Sequence, residues 1–121
     1  MDMITALLQI TISLGILNVW LVRNRKATPY RGGKALNLKE EFATYGLPDW
    51  VFYLIGFSKV SSALLIFTGL WVTGVLLPAT VVLAVLMIGA LAMHLKVKDP
   101  FSKSIPAITM LSLCLLLLFI Y

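Results

Sequence analysis

Four polar side chains in or beside the apolar segments of this chain could together bind the polar group of a ligand. Lys59 lies ten residues beyond Asp49 in a long apolar segment, which in a helix corresponds to a depth of about 15 Å. His94 lies near the end of another apolar segment, and Asn18 lies near the end of the first. Ionisable residues inside membrane segments are functional candidates by default. We therefore take Lys59, His94, Asn18 and Asp49 as candidate ligands of an amphiphile's head group.

A structural role explains the same residues equally well. The buried lysine could be satisfied by a carbonyl or a carboxylate of the chain itself. The charges near the segment ends could form a collar of ion pairs, Asp49 with Arg23 and Asp99 with His94 or Lys96. The sequence alone leaves both roles open.

No pattern in the sequence supports a catalytic or metal site. The chain has no nucleophile–base pair, phosphate-binding loop, zinc-ligand spacing or carboxylate dyad. The single cysteine, Cys114, excludes a disulfide within one chain. A haem in one such chain would usually need a second axial ligand besides His94, so the sequence does not favour haem binding. We therefore expect no catalytic residue, no metal ligand and no encoded cofactor, with a quinone or a lipid left open as the bound group. Enzymatic activity is left open, but the sequence favours a non-enzymatic protein.

The elements that must position these residues are membrane helices. Of the 121 residues, 60% are hydrophobic and only 12% are charged, against about 25% charged in a soluble domain. The apolar segments have the length of a membrane-spanning helix, about 20 residues. The sequence predicts one all-α integral membrane domain over residues 1–121, an antiparallel bundle of four transmembrane helices at about 3–22, 49–73, 77–95 and 104–121.

The linker between the first two segments is basic and contains one further predicted helix. Apolar residues recur among charges from Leu36 to Tyr45, and Gly46 follows as a stop signal. This spacing predicts a short amphipathic helix on the membrane surface or over the mouth of the bundle. We expect Trp20 to lie in the aromatic belt at the membrane interface.

The basic residues predict the orientation of the bundle. Loop 23–48 holds six Lys and Arg residues, loop 96–103 holds three, and the turn at Gly74 holds none. The positive-inside rule then predicts a cell-membrane protein with both basic loops in the cytoplasm and both termini outside. Because this topology and anionic lipid head groups account for the net charge of +5, no nucleic-acid partner is expected.

Two stretches of the chain resemble the DoxX-like family of small four-helix membrane proteins. The first is FATYGLPDWVFYLIGFSKVSSALLIFTG, with Tyr45-Gly46-Leu47-Pro48 followed by Gly56 and Lys59; the second is His94 followed by KVKDPFSKSIPAITML. The resemblance covers about residues 43–113 and implies the four-helix fold. Many family members carry a glutamate near the lysine position, so Lys59 departs from their pattern. Members are linked to thiosulfate:quinone oxidoreduction, oxidative-stress complexes and receptor assembly, and most have no established reaction.

Three functions are compatible with these observations. The first is a non-enzymatic accessory subunit, assembly factor or lipid-binding component. The second is a quinone-linked redox subunit with a head-group site near Lys59 and His94, whose electron carrier a partner would supply. The third is a small transporter. Membrane lipids, partner subunits or a second copy of the chain are the expected partners.

Overall fold

The long segments of the chain are helical over almost their whole predicted lengths. The computed structural model describes residues 3–26 and 28–121, which form helices and no strand. These helices are α1 (Met3–Leu17), α2 (Leu38–Thr44), α3 (Asp49–Thr68), α4 (Leu76–Lys96) and α5 (Ile105–Ile120). A π turn (Asn18–Val22) extends α1, and 3-10 turns (Thr73–Val75, Phe101–Ser104) precede α4 and α5.

Four segments are long and apolar enough to cross a membrane: Met3–Val22, Asp49–Thr68, Thr73–Lys96 and Phe101–Ile120. A helix satisfies its backbone hydrogen bonds internally, which an apolar segment in lipid requires. The all-α prediction with four membrane helices is therefore confirmed. The second helix ends at Thr68, earlier than the predicted residue 73, because the chain turns at residues 69–71.

The four long helices form a closed ring in which α1 packs on α3, α3 on α4, α4 on α5 and α5 on α1. The amide of Gln9 donates to the carbonyl of Ile66 over 3.1 Å, and Trp20 lies against Gly56. Along the chain the two contacts are eleven residues apart on the first helix and its π turn, and ten residues apart in the opposite direction on α3. They fix the antiparallel register of this pair. The core between the helices is apolar and includes Ile12, Ile16, Ile66, Leu83, Cys114 and Leu117.

The two ends of the bundle differ in charge. We call the end that carries loops 23–37 and 97–100 together with α2 the basic end, and the end that carries Met3, Gly74 and Tyr121 the distal end. At the distal end the Tyr121 hydroxyl donates to the Thr73 carbonyl over 3.1 Å. The charged residues that can act on a ligand therefore lie at the basic end.

The predicted amphipathic helix is α2, and it lies over the mouth of the bundle. Asn37 caps it by accepting from the backbone N–H of Glu40 over 2.8 Å, and Gly46 follows its last turn with φ +79°. Leu38 and Phe42 join the hydrophobic core. Leu36 is exposed and precedes the helix. Helix α2 thus closes part of the basic end.

Trp20 does not face outward, as a residue of the aromatic belt would. Its ring is buried, stacks on Phe52 at 5.4 Å and meets Phe42 edge-on at 5.9 Å between ring centroids. The π turn that contains Trp20 changes the direction of its side chain from that in a regular α-helix. Trp20 is therefore a wall of the bundle interior.

Candidate functional site

A cavity of about 310 Å³ lies at the basic end, between the ends of the four long helices. We call it the mouth cavity. Residues 28–31 and part of α2 line it on the side of the loops. Its wall further into the bundle is apolar and includes Ile16, Val19, Trp20, Met87 and Met110. Its basic and acidic lining residues are Arg23, Arg31, Glu41, Lys59, His94 and Lys103. The cavity thus combines an apolar interior with a charged rim.

Lys59 is the charged residue deepest in the bundle. Its side chain belongs to α3, lines the mouth cavity and is only 8% exposed. The ammonium lies 5.5 Å from the centroid of the Trp20 ring, within the range of a cation–π contact. Among the described residues it has no hydrogen-bond or ion-pair partner. The carboxylate of Glu41 acts on this charge, but from beyond the distance of an ion pair. Because a buried charge normally has a close partner, Lys59 is a candidate to bind a group in the cavity.

Glu41 lies at the centre of a buried cluster on the loop side of the cavity. Its carboxylate accepts a hydrogen bond from the Tyr45 hydroxyl over 2.6 Å. Arg31 Nη1 lies 3.7 Å from Glu41 Oε2, and His94 Nε2 lies 3.9 Å from Oε1. Burial, the charge of Glu41 and this hydrogen bond raise the pKa of Tyr45 above its usual range. Burial also lowers the pKa of Arg31, and the charge of Glu41 opposes that shift. The carboxylate of Glu41 is therefore already compensated within the protein.

A second cluster joins the long loop to the turn between α4 and α5. The Asp99 carboxylate accepts from His94 Nδ1 over 2.7 Å and from the Gly33 backbone N–H over 2.9 Å. Lys103 donates to the Gly33 carbonyl and lies 3.9 Å from Asp99 Oδ1. We call Asp99, His94, Gly33 and Lys103 the latch. It holds the loop that lines the mouth cavity in place.

The latch favours the ionised form of Asp99. Burial by itself raises the pKa of this carboxyl group. The hydrogen bonds from His94 and Gly33, with the charges of His94 and Lys103, outweigh burial. The pKa of Asp99 therefore lies below its ordinary value of 3.8. At neutral pH the latch contains a carboxylate.

The structure brings together three of the four predicted site residues. Asn18, Lys59 and His94 line the mouth cavity. Asp49 does not line it: this side chain is 72% exposed, and its carboxylate lies 3.8 Å from Lys39 Nζ. Asp49 occupies the first turn of α3, where a carboxylate interacts favourably with the helix dipole.

The predicted collar of ion pairs forms only in part. His94 pairs with Asp99 as expected. Asp49 pairs with Lys39 rather than with Arg23. The collar is therefore built from the α4–α5 turn and the long loop, and the start of α3 does not contribute to it.

Sequence reasoning missed Arg31, Glu41 and Tyr45 as residues of the site. The helical spacing of the sequence contained a signal for Glu41 and Tyr45. Both lie on the same face of a helix as Leu38 and Phe42. A glutamate on the apolar face of a short helix is unusual and could have been singled out. Arg31 lies in an irregular loop, and no periodicity predicts where it points.

The part of the chain that the structure describes contains no group of His, Cys, Asp and Glu side chains arranged to hold a metal ion. Lys59 and the charged rim offer instead a cation and hydrogen-bond donors. Such a set can bind an acceptor group of an organic molecule.

Comparison with known proteins supplies one match. The model of the DoxX-like family matches residues 33–118. These residues include Lys59, His94 and the whole latch, and they exclude α1. No curated protein and no solved structure matches the chain.

Proposed function

The chain belongs to the DoxX-like family, and we propose that this multi-pass membrane protein is a non-enzymatic component that binds one amphiphile in the mouth cavity. The amphiphile is a lipid or a quinone. The observation that carries this proposal is the combination of an apolar cavity wall with the buried residue Lys59, whose ammonium has no hydrogen bond or ion pair among the described residues. A buried charge in a membrane protein needs a partner. A bound head group would supply it.

The position of the cavity supports a ligand that comes from the bilayer. Its lining includes Val19 in the π turn after α1 and Pro106, Ala107 and Met110 on α5, all of them partly or fully exposed. An opening between α1 and α5 would face lipid. The head group could then enter while the tail stays in the hydrocarbon phase.

The groups around the cavity support a non-enzymatic role. His94 and Glu41 are held by the latch and by Tyr45, so neither is a free base beside a nucleophile. A redox role with a quinone would need an electron carrier from a partner protein. We therefore favour an accessory or assembly subunit, and a quinone found in the cavity would favour the redox alternative.

Filling the cavity should expel the amphiphile. Ala90 lines the mouth cavity, whereas Ala92, on the same helix, faces outward. We expect Ala90→Trp to reduce the amphiphile that copurifies in mild detergent at least about tenfold, because an indole occupies much of a cavity this size. Ala92→Trp should retain it. Mass spectrometry of the extracted ligand, per mole of folded protein, measures both. Equal retention in the two variants would contradict the proposal.

The orientation of the bundle belongs to the same proposal, since the head group would then face the cytoplasm. We propose that the basic end is cytoplasmic, on the distribution of Lys and Arg between the loops. In a Cys114→Ala background, Lys26→Cys and Lys98→Cys should react with an impermeant thiol reagent only after the membrane is opened. Gly74→Cys, in the turn of the distal end, should react in intact cells. The reverse pattern would invert the orientation.

A further inference from the structure

The charges around the mouth cavity do not balance. Four basic side chains line it, Arg23, Arg31, Lys59 and Lys103, against the single carboxylate of Glu41. Glu41 is compensated by Arg31 and by the hydrogen bond from Tyr45. Asp99 compensates Lys103 within the latch. The charge of Glu41 also acts on Lys59, but from beyond the distance of an ion pair. The basic lining residues without a close partner are therefore Lys59 and the exposed Arg23 at the rim.

We infer that the head group bound in the mouth cavity is an anion, a carboxylate or a phosphate, and that it forms an ion pair with Lys59. This inference rests on the proposed function and specifies the chemical class of its ligand. A neutral head group could accept a hydrogen bond from Lys59, but it would leave a net positive charge inside the membrane. An anion removes that charge, which is the larger gain in a medium of low dielectric constant.

Arg31 provides a second and independent donor. The side chain lines the cavity and is only 6% exposed. Its terminal nitrogen Nη2 donates to the carbonyls of Arg23 and Lys26, whereas its Nε is buried without a hydrogen-bond partner among the described residues. Leaving a buried donor unpaired is costly. An anionic oxygen at the rim of the cavity would satisfy it.

Trp20 makes binding measurable, because its ring lies beside the Lys59 ammonium. The other two tryptophans, Trp50 and Trp71, are exposed. In a Trp50→Phe, Trp71→Phe background, the fluorescence of Trp20 should change when a head group binds Lys59. This background protein, with its full chain, is the one to titrate in a non-ionic maltoside detergent.

The titration compares four probes with related tails or head groups. Oleate supplies a carboxylate, oleoyl-lysophosphatidate supplies a phosphate, oleyl alcohol is the neutral control, and decylubiquinone represents the quinones. We expect at least one of the two anions to bind about tenfold or more tightly than oleyl alcohol and the quinone, the difference typical of one charge-assisted hydrogen bond. Which anion binds more tightly identifies the source of the charge.

Substitution of Lys59 then tests the ion pair. Lys59→Gln should weaken binding of the preferred anion about tenfold and leave oleyl alcohol within about twofold. Lys59→Arg should keep the preference for the anion. Lys98→Gln removes an exposed lysine outside the cavity and should change nothing. Size-exclusion elution of each variant reports whether it is folded.

The outcomes separate the two proposals. If the background protein, with Lys59 intact, binds the anions, the alcohol and the quinone with equal affinity, the inference is overturned. This result would count even if Lys59→Gln failed to fold. An equal loss for all probes in Lys59→Gln would also overturn it. If the probes bind without charge preference and Ala90→Trp abolishes their binding, the proposed function is supported and the inference of an anionic head group fails. If Ala90→Trp binds every probe normally, the mouth cavity is not the site and both proposals fail.

Discussion

Asp99→Ala is expected to lower the free energy of unfolding by about 3–5 kcal/mol, the usual cost of breaking a buried ion pair from one side. The substitution leaves His94 and the Gly33 N–H without their acceptor and removes the partner of Lys103. The loop over the mouth cavity should then loosen. Unfolding by sodium dodecyl sulfate, followed by tryptophan fluorescence, measures the change. Limited proteolysis in residues 23–37 reports the loop.

Asp49→Ala is the matched control, because it removes an exposed carboxylate whose nearest cation is 3.8 Å away. Its effect should stay within about 0.5 kcal/mol. A similar loss in both variants would mean that the latch does not hold the loop.

The same variant should alter the dependence of stability on pH. Because the pKa of Asp99 is lower in the folded protein than its ordinary value of 3.8, its ionisation stabilises the fold above that value. This contribution falls as the pH drops through the pKa of the folded state. Asp99→Asn should therefore flatten the decline in stability at acid pH, while Asp49→Asn should leave the decline unchanged.

Gly56→Ala is expected to destabilise the contact between α1 and α3 by about 1–3 kcal/mol, the usual cost of overpacking. A Cβ atom at this position would lie 2.6 Å from Cζ3 of Trp20. The ring cannot move away easily, since it is held between Phe42 and Phe52. Because Trp20 also flanks Lys59, the substitution should change the mouth cavity as well. The free energy of unfolding in detergent and the retention of the amphiphile measure the two effects.

Gly89→Ala is the comparison, because a Cβ there meets no atom within 4 Å. In that variant only the higher helix propensity of alanine should act, which favours the helix by up to about 1 kcal/mol. Equal effects of the two substitutions would mean that Trp20 has room to move.

The four membrane helices could be predicted from the sequence because each depends on local properties. A run of about 20 apolar residues can satisfy its backbone in lipid only as a helix. The stop signal of α2, Gly46, is equally local and lies where the chain turns. The structure places the start of the helix after Asn37 rather than at Leu36. Lys59 could be singled out as a candidate by its depth in an apolar segment, which needs no knowledge of its neighbours.

The membership of the site could not be predicted in the same way. Asp49 and Lys59 lie on one helix, yet only Lys59 lines the cavity. Glu41 was one charge among many in a basic loop, and it became a buried acceptor because α2 packs over the mouth of the bundle. Which surface a residue faces at the end of a helix depends on the helices packed against it.

The sequence by itself determined the fold class, the four spans, the uneven distribution of charge and the presence of an unusual lysine. Tertiary structure alone decided which charges are compensated: Arg31 lies beside Glu41, and Asp99 joins His94 to Gly33, which is 66 positions away in the chain. The physical reason is that insertion into lipid is a property of each segment, summed along the chain. Compensation of a buried charge depends on distances of a few ångströms between segments, which packing alone sets.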